Sequence, residues 1–359
     1  MHIGLIVYGG LDQVSGGYLY DRKLTQHLRA HGHTVTVVPQ PVRRTYAARL
    51  LDNTDRAFWQ DLAAAPFDVL LQDELNHASL VLGNRWLRGQ VGYPIVSIVH
   101  HLRSSEQHPA ALLPLYRWVE RHYLRTVDAF VYNSPSTKRS VERKVLARPH
   151  VVAPPSGRRL GESPSPAFID ERSRADGPLH IAFVGNVIPR KQLHVLLEAC
   201  ARLDPRRWTL DVVGAPADPV YGQEIRDQVA RLPDPSCVTW HGRLPNDVLR
   251  DVLRGAHVLA VPSTYEGFGI VYVEAMGQGV PVIATPHGGP VDLVQNGHTG
   301  FLVRPPLVSE IADRLAMLDA DRDRLANMAH AACEQYRDSP TWTDTTASIR
   351  SFLERLHRS

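Results

Sequence analysis

The chain has 359 residues, a formal net charge of +3, 43% hydrophobic and 21% charged residues, which is enough for two globular domains, each with its own core. No apolar run reaches eighteen residues, which excludes a membrane-spanning helix, and so mild a charge gives no pointer to nucleic acid. The three cysteines, Cys200, Cys237 and Cys333, are too few and too scattered for a disulfide framework or a metal cluster. They read as small buried hydrophobes in a reducing compartment. The opening MHIGLIVYGG lacks a basic n-region and enters a strand directly, so a cytoplasmic protein without a signal peptide is expected. Only Lys23, Lys138, Lys144 and Lys191 supply lysine among 40 basic residues, so each lysine invites inspection.

Ile3 to Tyr8 is an apolar, β-rich run ending in Gly9-Gly10, and Gly16-Gly17 follow where a helix begins. The spacing is not G-x-G-x-x-G and no acid follows the second strand, Thr34 to Val38, so a dinucleotide site is not indicated. Val42 to Asp61 interleaves Arg43, Arg44, Arg49 and Arg56 with Tyr46, Phe58 and Trp59. A solvated helix face packed by its aromatics accounts for this, and a peripheral contact with an anionic membrane or a phosphate-bearing acceptor stays open. Strands follow at Asp68 to Gln72 and Ile95 to His100. His100-His101 closes the fourth strand at its carboxyl end, the edge where open α/β sheets bind ligands. Leu112 to Thr126 has Leu112, Leu115, Tyr116, Val119 and Tyr123 at helical spacing, which predicts a core-packed amphipathic helix. Asp128 to Asn133 is a fifth strand, and Ser134-Pro135 starts another helix.

The first domain ends at Val151 to Ser156. GRRLGESPSPAFIDERSRADG follows, rich in Pro, Gly, Ser and charge and without periodicity, and reads as an interdomain linker. The second domain opens with a strand at Leu179 to Gly185. Arg190 and Lys191 then precede an amphipathic helix, where side-chain cations and free N–H groups suit a diphosphate. Strands at Leu210 to Gly214 and Val238 to Gly242 follow, with Arg243 directly after the second.

Val258 to Arg304 is the stretch the chain is organised around. It holds a buried strand ending at Pro262, a loop with Glu266, a helix start at Gly267 to Gly269, a second carboxylate at Glu274, a strand at Pro281 to Thr285 and a Gly288-Gly289-Pro290 turn. If both were helical, Glu266 and Glu274 would lie about 12 Å apart along the axis and roughly 80° around it. Glu266 precedes the helix, so the loop can bring both to one ligand with phosphates between them, one on sugar hydroxyls and one on ribose hydroxyls. Read singly, the two are equally a solvated loop acid and a helix-start acid. Ser309 to Tyr336 is expected to be helical, and Trp342 to His357 forms a final amphipathic helix.

The run EGFGIVYVEA resembles the E-x7-E signature of retaining glycosyltransferases of family 4, which have the GT-B fold. The flanking VPS, GQGVPVIAT, GGPVDLV and NGHTGFLV look like the rest of that signature, over about fifty residues in order. The resemblance implies an α/β protein of two Rossmann-like domains facing across a cleft. Residues 1–157 are then the acceptor domain, 158–177 the linker and 178–341 the donor domain, with a helix at about 342–359 packing back on the first. The implied activity is hexosyl transfer, in glycan biosynthesis, from a UDP- or GDP-linked sugar to a hydroxyl of an unidentified glycan, lipid-linked or small-molecule acceptor, with retention. No cofactor or metal is implied, and a location peripheral to the inner membrane face is left open. Glu274 would hold ribose hydroxyls and Glu266 sugar hydroxyls. Arg190 and Lys191 would stabilise the diphosphate, with N–H groups of Gly16, Gly17, Phe268, Gly269 and Ile270. Gly185, Gly267 and Val271 would line the donor site, and His100 the reaction centre.

The sequence departs from the family pattern at three places. His101 replaces the acid that usually follows the histidine, Gln192 replaces a glycine after Lys191, and Pro155-Ser156-Gly157-Arg158 stands near an expected Asn-Gly-Val-Asp-like turn. No enzyme nucleophile is evident on the expected face, which favours front-face displacement with the departing phosphate accepting the acceptor's proton. Two readings from other classes stand beside this one: a nucleotide-sugar 2-epimerase of the same fold, and a non-catalytic nucleotide-sugar binder. A pyridoxal phosphate-dependent phosphorylase is disfavoured because Lys191 is the sole lysine of the second domain and sits at the phosphate turn. Acceptor choice is assigned to Thr45 to Gln60 and Leu102 to Leu113.

Overall fold

The computed structural model describes residues 1–13, 15–106, 108–305 and 307–358; Gln107, inside the expected acceptor loop, and Ser359, at the end of the expected final helix, lie outside them. The chain forms two compact units, Met1–Pro155 with Pro340 onward, and Ser156–Ser339.

The first unit is built on a six-stranded parallel sheet of β1 (His2–Tyr8), β2 (Thr34–Gln40), β3 (Val69–Asp73), β4 (Ile95–Val99), β5 (Ala129–Tyr132) and β6 (His150–Val152) in the order β2-β1-β3-β4-β5-β6. All residues of β3, β4 and β5 are buried, as expected for parallel strands covered on both faces. Separate apolar clusters form on either side of the sheet. One gathers Leu5, Leu24, Val69, Ile98 and Val131, and the other Ile6, Leu70, Val99, Tyr123 and Phe130. Helix Gly16–Ala30 packs its Leu24 and Leu28 with Ile349, Phe352 and Leu353 of the last helix, Trp342–Arg358. The Thr345 hydroxyl also donates to the Pro154 carbonyl at 2.6 Å. The final helix therefore belongs to the first unit.

The second unit repeats the plan with β7 (Leu179–Val184), β8 (Trp208–Val213), β9 (Val238–Gly242), β10 (Val258–Ala260), β11 (Val282–Ala284) and β12 (Gly300–Leu302), in the order β12-β11-β10-β7-β8-β9. Counted from β7, this is the 3-2-1-4-5-6 order of a doubly wound sheet, with a reversal point between β7 and β10.

Several expectations are corrected. The stretch read as a linker carries helix Pro166–Arg174, capped by Ser165, whose Oγ accepts from Phe168 N. Ile169 packs on Ala329 and Cys333, and the buried Arg172 guanidinium donates to the Arg254, Gln278 and Gly279 carbonyls. A Ser-Pro start of a helix with so short an apolar face is hidden by the polar composition around it. The helical run 309–336 is two helices, Leu307–Ala320 and Arg322–Arg337, because Asp321 caps the second through Arg324 N at 2.8 Å. Helix Leu113–Leu124 buries Tyr116, Val119 and Tyr123 as expected, but Leu112 and Leu115 are exposed beside Trp118. The basic stretch 42–61 carries two helices, Tyr46–Leu51 and Arg56–Ala64, with Trp59 buried.

Candidate active site

In the second unit, the chain leaves β7 and β10 at the carboxyl edge on either side of the strand-order reversal, where a crevice for ligand is expected. Gly185 follows β7 directly and lies under the Lys191 side chain. Pro189–Lys191 form one 3₁₀ turn, Gln192 takes a left-handed conformation with φ +52°, and helix Leu193–Cys200 follows. The glycine that the family pattern places at 192 is thus a position of positive φ.

From the β10 side, Glu266 meets this turn. Lys191 Nζ lies 2.9 Å from Glu266 Oε1, Arg190 Nη1 lies 3.2 Å from it, and the Ser263 hydroxyl donates to it at 2.8 Å. Arg190 also donates to the Tyr265 carbonyl, and Thr264 N donates to the Arg190 carbonyl at 2.8 Å. Burial by itself raises the Glu266 carboxyl, but the charges of Lys191 and Arg190, with the Lys191 and Ser263 hydrogen bonds, outweigh it and hold the group down at about 2. The loop is braced from β11: Glu266 N donates to the His287 carbonyl at 3.1 Å, and Gly289 N donates to the Glu266 carbonyl at 2.8 Å. A side chain at Gly288 or Gly289 would collide with the backbone of Glu266 or Phe268, which explains that pair of glycines. Gly267 to Gly269 lead into helix Ile270–Gly277, whose first N–H groups, at Ile270 and Val271, are of the kind that lack intrahelical acceptors. The Phe268 side chain is buried in the core, so its backbone is what it can offer a ligand.

Glu274 lies further along the same helix and is buried. Its two carboxylate oxygens accept from Nε and Nη2 of Arg159, the latter at 3.1 Å, and Arg159 Nη1 donates to Asn246 Oδ1 at 2.8 Å. The two glutamates therefore have different partners, Glu266 on the Arg190-Lys191 turn and Glu274 on Arg159. Sequence reasoning missed Arg159, Asn246 and Ser263. The Arg158-Arg159 pair was the available signal, passed over because it sits in the stretch read as linker. Arg243 is exposed beyond β9.

In the first unit, the order β2-β1-β3 places the reversal between β1 and β3. Gly16 and Gly17 open the helix after β1, capped by Ser15, whose Oγ accepts from Tyr18 N at 3.4 Å. Gly17 backs onto the ring of His100, which follows β4. His100 Nε2 lies 3.2 Å from Asp21 Oδ1, its ring meets Tyr20 edge-on at 5.2 Å, and its carbonyl accepts from Asn133 Nδ2 at 2.6 Å. Asp73, at the end of β3, completes the group: ligand-type atoms of Asp21, Asp73 and His100 lie within 4.8 Å of one another. That spacing would suit one cation. Burial pushes the Asp73 carboxyl up to about 6, with Asp21 adding to the rise against the opposing charge of His100. Burial would lower His100, but the charge and hydrogen bond of Asp21 prevail and raise it. Neither Asp21 nor Asp73 was singled out from the sequence, since isolated acids on a helix and at a strand end carry no motif. His101 is 3.1 Å from Glu106.

Two parallel six-stranded α/β units with ligand-type clusters at their carboxyl edges define the class: the fold is GT-B, the fold of a large group of glycosyltransferases. Sucrose-phosphate synthase from Thermosynechococcus elongatus superposes with a TM-score of 0.81 at 21% identity over 99% of each chain. Anabaena HepE, solved in complex with UDP-glucose, gives 0.74 at 19% identity over 100% of each chain. The family model described as Glycosyl transferases group 1 matches residues 166–335, inside the second unit. The D-inositol 3-phosphate glycosyltransferase of Corynebacterium efficiens is 31% identical over 300 residues, 76% of this chain and 70% of that one. The enzyme of the same name from Nocardia farcinica is 34% identical over 283 residues, 70% of this chain and 62% of its own length. The chain belongs to the group 1 glycosyltransferases. Among the described residues no helix is long and apolar enough to cross a membrane.

Proposed function

We propose that the protein is a retaining, family 4-type hexosyltransferase that moves a sugar from a nucleotide diphosphate sugar to an acceptor hydroxyl. The observation that carries this reading is the convergence of Arg190, Lys191 and Ser263 on Glu266 at the strand-order reversal of the second unit. Two cations beside a carboxylate held ionised match a phosphate charge on one side and sugar hydroxyls on the other. Glu266 accepts from hydroxyls of the donor sugar, and Glu274 from the ribose. When donor enters, Lys191 and Arg190 turn toward the diphosphate, where charge grows as the glycosidic bond breaks. The N–H groups of Gly269, Ile270 and Val271 add to that field. His100, oriented by Asp21, lines the reaction centre. Attack comes from the face the nucleotide leaves, and the departing phosphate oxygen takes the acceptor's proton.

Support for a uridine donor comes from HepE, solved with UDP, with UDP and glucose, and with UDP-glucose. The relatives make D-inositol 3-phosphate the first acceptor to try. The test is turnover of UDP- and GDP-sugars by purified protein, with and without that acceptor, read as released nucleotide and as the anomeric configuration of the product. Acceptor-dependent release with a retained α-anomer is expected. Release of nucleotide and a 2-epimer without acceptor would make it an epimerase, and binding without release would make it a binder.

A further inference from the structure

The Glu274 side chain is 1% exposed, and the Arg159 side chain that pairs with it is 35% exposed. A carboxylate so covered cannot accept from a ribose while Arg159 stays where it is. The arrangement is a fork on a fork, with Nε on one oxygen and Nη2 on the other, and such a pair occupies the outward-facing lone pairs of the carboxylate. A vicinal diol binding in two-point fashion needs the same lone pairs.

The backbone beneath Arg159 is firmly held. Gly157 packs against the helix that carries Glu274, so that a Cβ there would stand 2.9 Å from Glu274 N and 2.7 Å from Val273 Cγ1. Arg158 donates to the carbonyls of Tyr336, Arg337 and Ser339 at 3.3, 2.7 and 3.1 Å, and its guanidinium lies 5.1 Å from the Tyr336 ring centroid. These two neighbours set the turn so that the next side chain points at Glu274. The side chain itself is flexible, and beyond Glu274 its further side-chain partner among the described residues is Asn246, which is exposed.

We infer that Arg159 is a displaceable plug on the ribose subsite: nucleotide binding exchanges its two N–H donors on Glu274 for the 2′- and 3′-hydroxyls of the ribose, and the guanidinium swings out. The inference rests on the reading of Glu274 as the ribose carboxylate. An exchange of donors keeps both carboxylate oxygens hydrogen-bonded throughout, whereas a buried charge left with no donors would be strongly unfavourable. The plug reduces apparent nucleotide affinity by the fraction of time it is open, and it makes the diol, rather than the phosphates alone, the feature that admits a nucleotide.

Isothermal titration of UDP, GDP and their 2′,3′-dideoxy analogues tests this on wild type, Arg159→Gln, Asn246→Ala and Glu274→Gln. Arg159→Gln is expected to bind the diol-bearing nucleotide about tenfold tighter, the scale of one charge-assisted pair, and Asn246→Ala, which loosens the plug without touching Glu274, several-fold tighter. The dideoxy analogue should bind those two variants and wild type alike. Unchanged or weaker nucleotide binding in Asn246→Ala and in a folded Arg159→Gln would overturn the plug. If Glu274→Gln leaves the preference for the diol intact, the ribose assignment itself fails and the plug with it. Failure of every nucleotide to bind wild type and variants alike overturns both.

Discussion

Lys191 Nζ and Glu266 Oε1 stand 2.9 Å apart although 75 positions separate them in the chain. The contact joins the turn after β7 to the loop after β10, the two segments that flank the strand-order reversal. Replacing Lys191 by Ala is expected to lower donor turnover at least tenfold, or about 1.4 kcal/mol of transition-state stabilisation. A double-mutant cycle with Glu266→Gln should show coupling of about 1–3 kcal/mol in stability. An unchanged rate would remove Lys191 from the chemistry.

The same pair sets a pH dependence. Glu266 is held at about 2, below its ordinary value of 4.5. A depressed carboxyl contributes stability that is present above the unfolded value and lost as pH falls through the folded one. Urea unfolding of wild type and Glu266→Gln should therefore differ by about 2–3 kcal/mol at pH 7. The difference should shrink steadily between pH 4.5 and 2, and a gap of constant size would contradict the ionised pair.

Asp73 has the opposite sign. Its carboxyl is raised from 3.8 to about 6, chiefly by burial, so the folded state binds the proton more tightly than the unfolded chain. That contribution is present below pH 3.8 and lost as pH rises through 6. The groups around it are Asp21, His100 and His101. Asp73→Asn keeps an acceptor for Leu75 N, which lies 3.0 Å from Asp73 Oδ1, and stays neutral. It should be more stable than wild type at pH 8 by up to about 3 kcal/mol, with the advantage gone near pH 4. Denaturant midpoints of the two proteins across that range check it.

Gln192 is the non-glycine residue with positive φ among those described, at +52°. A left-handed conformation costs an ordinary residue about 1–2 kcal/mol, and glycine gives back part of that through its freer unfolded chain. Gln192→Gly should raise stability by roughly 0.5–1 kcal/mol, read as a small rise in Tm. A fall in Tm would mean that the Gln192 side chain itself contributes to folding.

Gly289 has no such latitude. A methyl there would meet the Cα and carbonyl of Phe268 and push the Glu266 loop away from Lys191. Gly289→Ala should cost about 1–3 kcal/mol and weaken donor binding. Gly255→Ala is the control, because nothing lies within 4 Å of the added atom and alanine favours helix Asn246–Gly255 by about 0.5–1 kcal/mol. Equal effects of the two would remove the bracing role of Gly289.

The sequence by itself determined the architecture: apolar runs such as Ile3 to Tyr8 and Leu179 to Val184, alternating with helical spacing, are a local property of the chain that commits it to parallel α/β units. It also marked Glu266, Arg190, Lys191 and His100, through residue types at turns following strands, and Glu274 through its spacing from Glu266. The strands β6 and β12, short and at sheet edges with partly exposed residues, gave no clear apolar run, unlike the equally short but fully buried β10 and β11, and helix Pro166–Arg174 was hidden by the polar residues around it. Which side chain meets which was decided only by tertiary structure. Lys191 with Glu266, Asp21 with His100, and Arg159 with Glu274 are separated by 75, 79 and 115 positions. Local spacing carries no information about such pairs, because strand order rather than chain order brings their carriers together. The buried Asp21 and the Arg159 cover on Glu274 became visible only once the sheets had set those neighbours side by side.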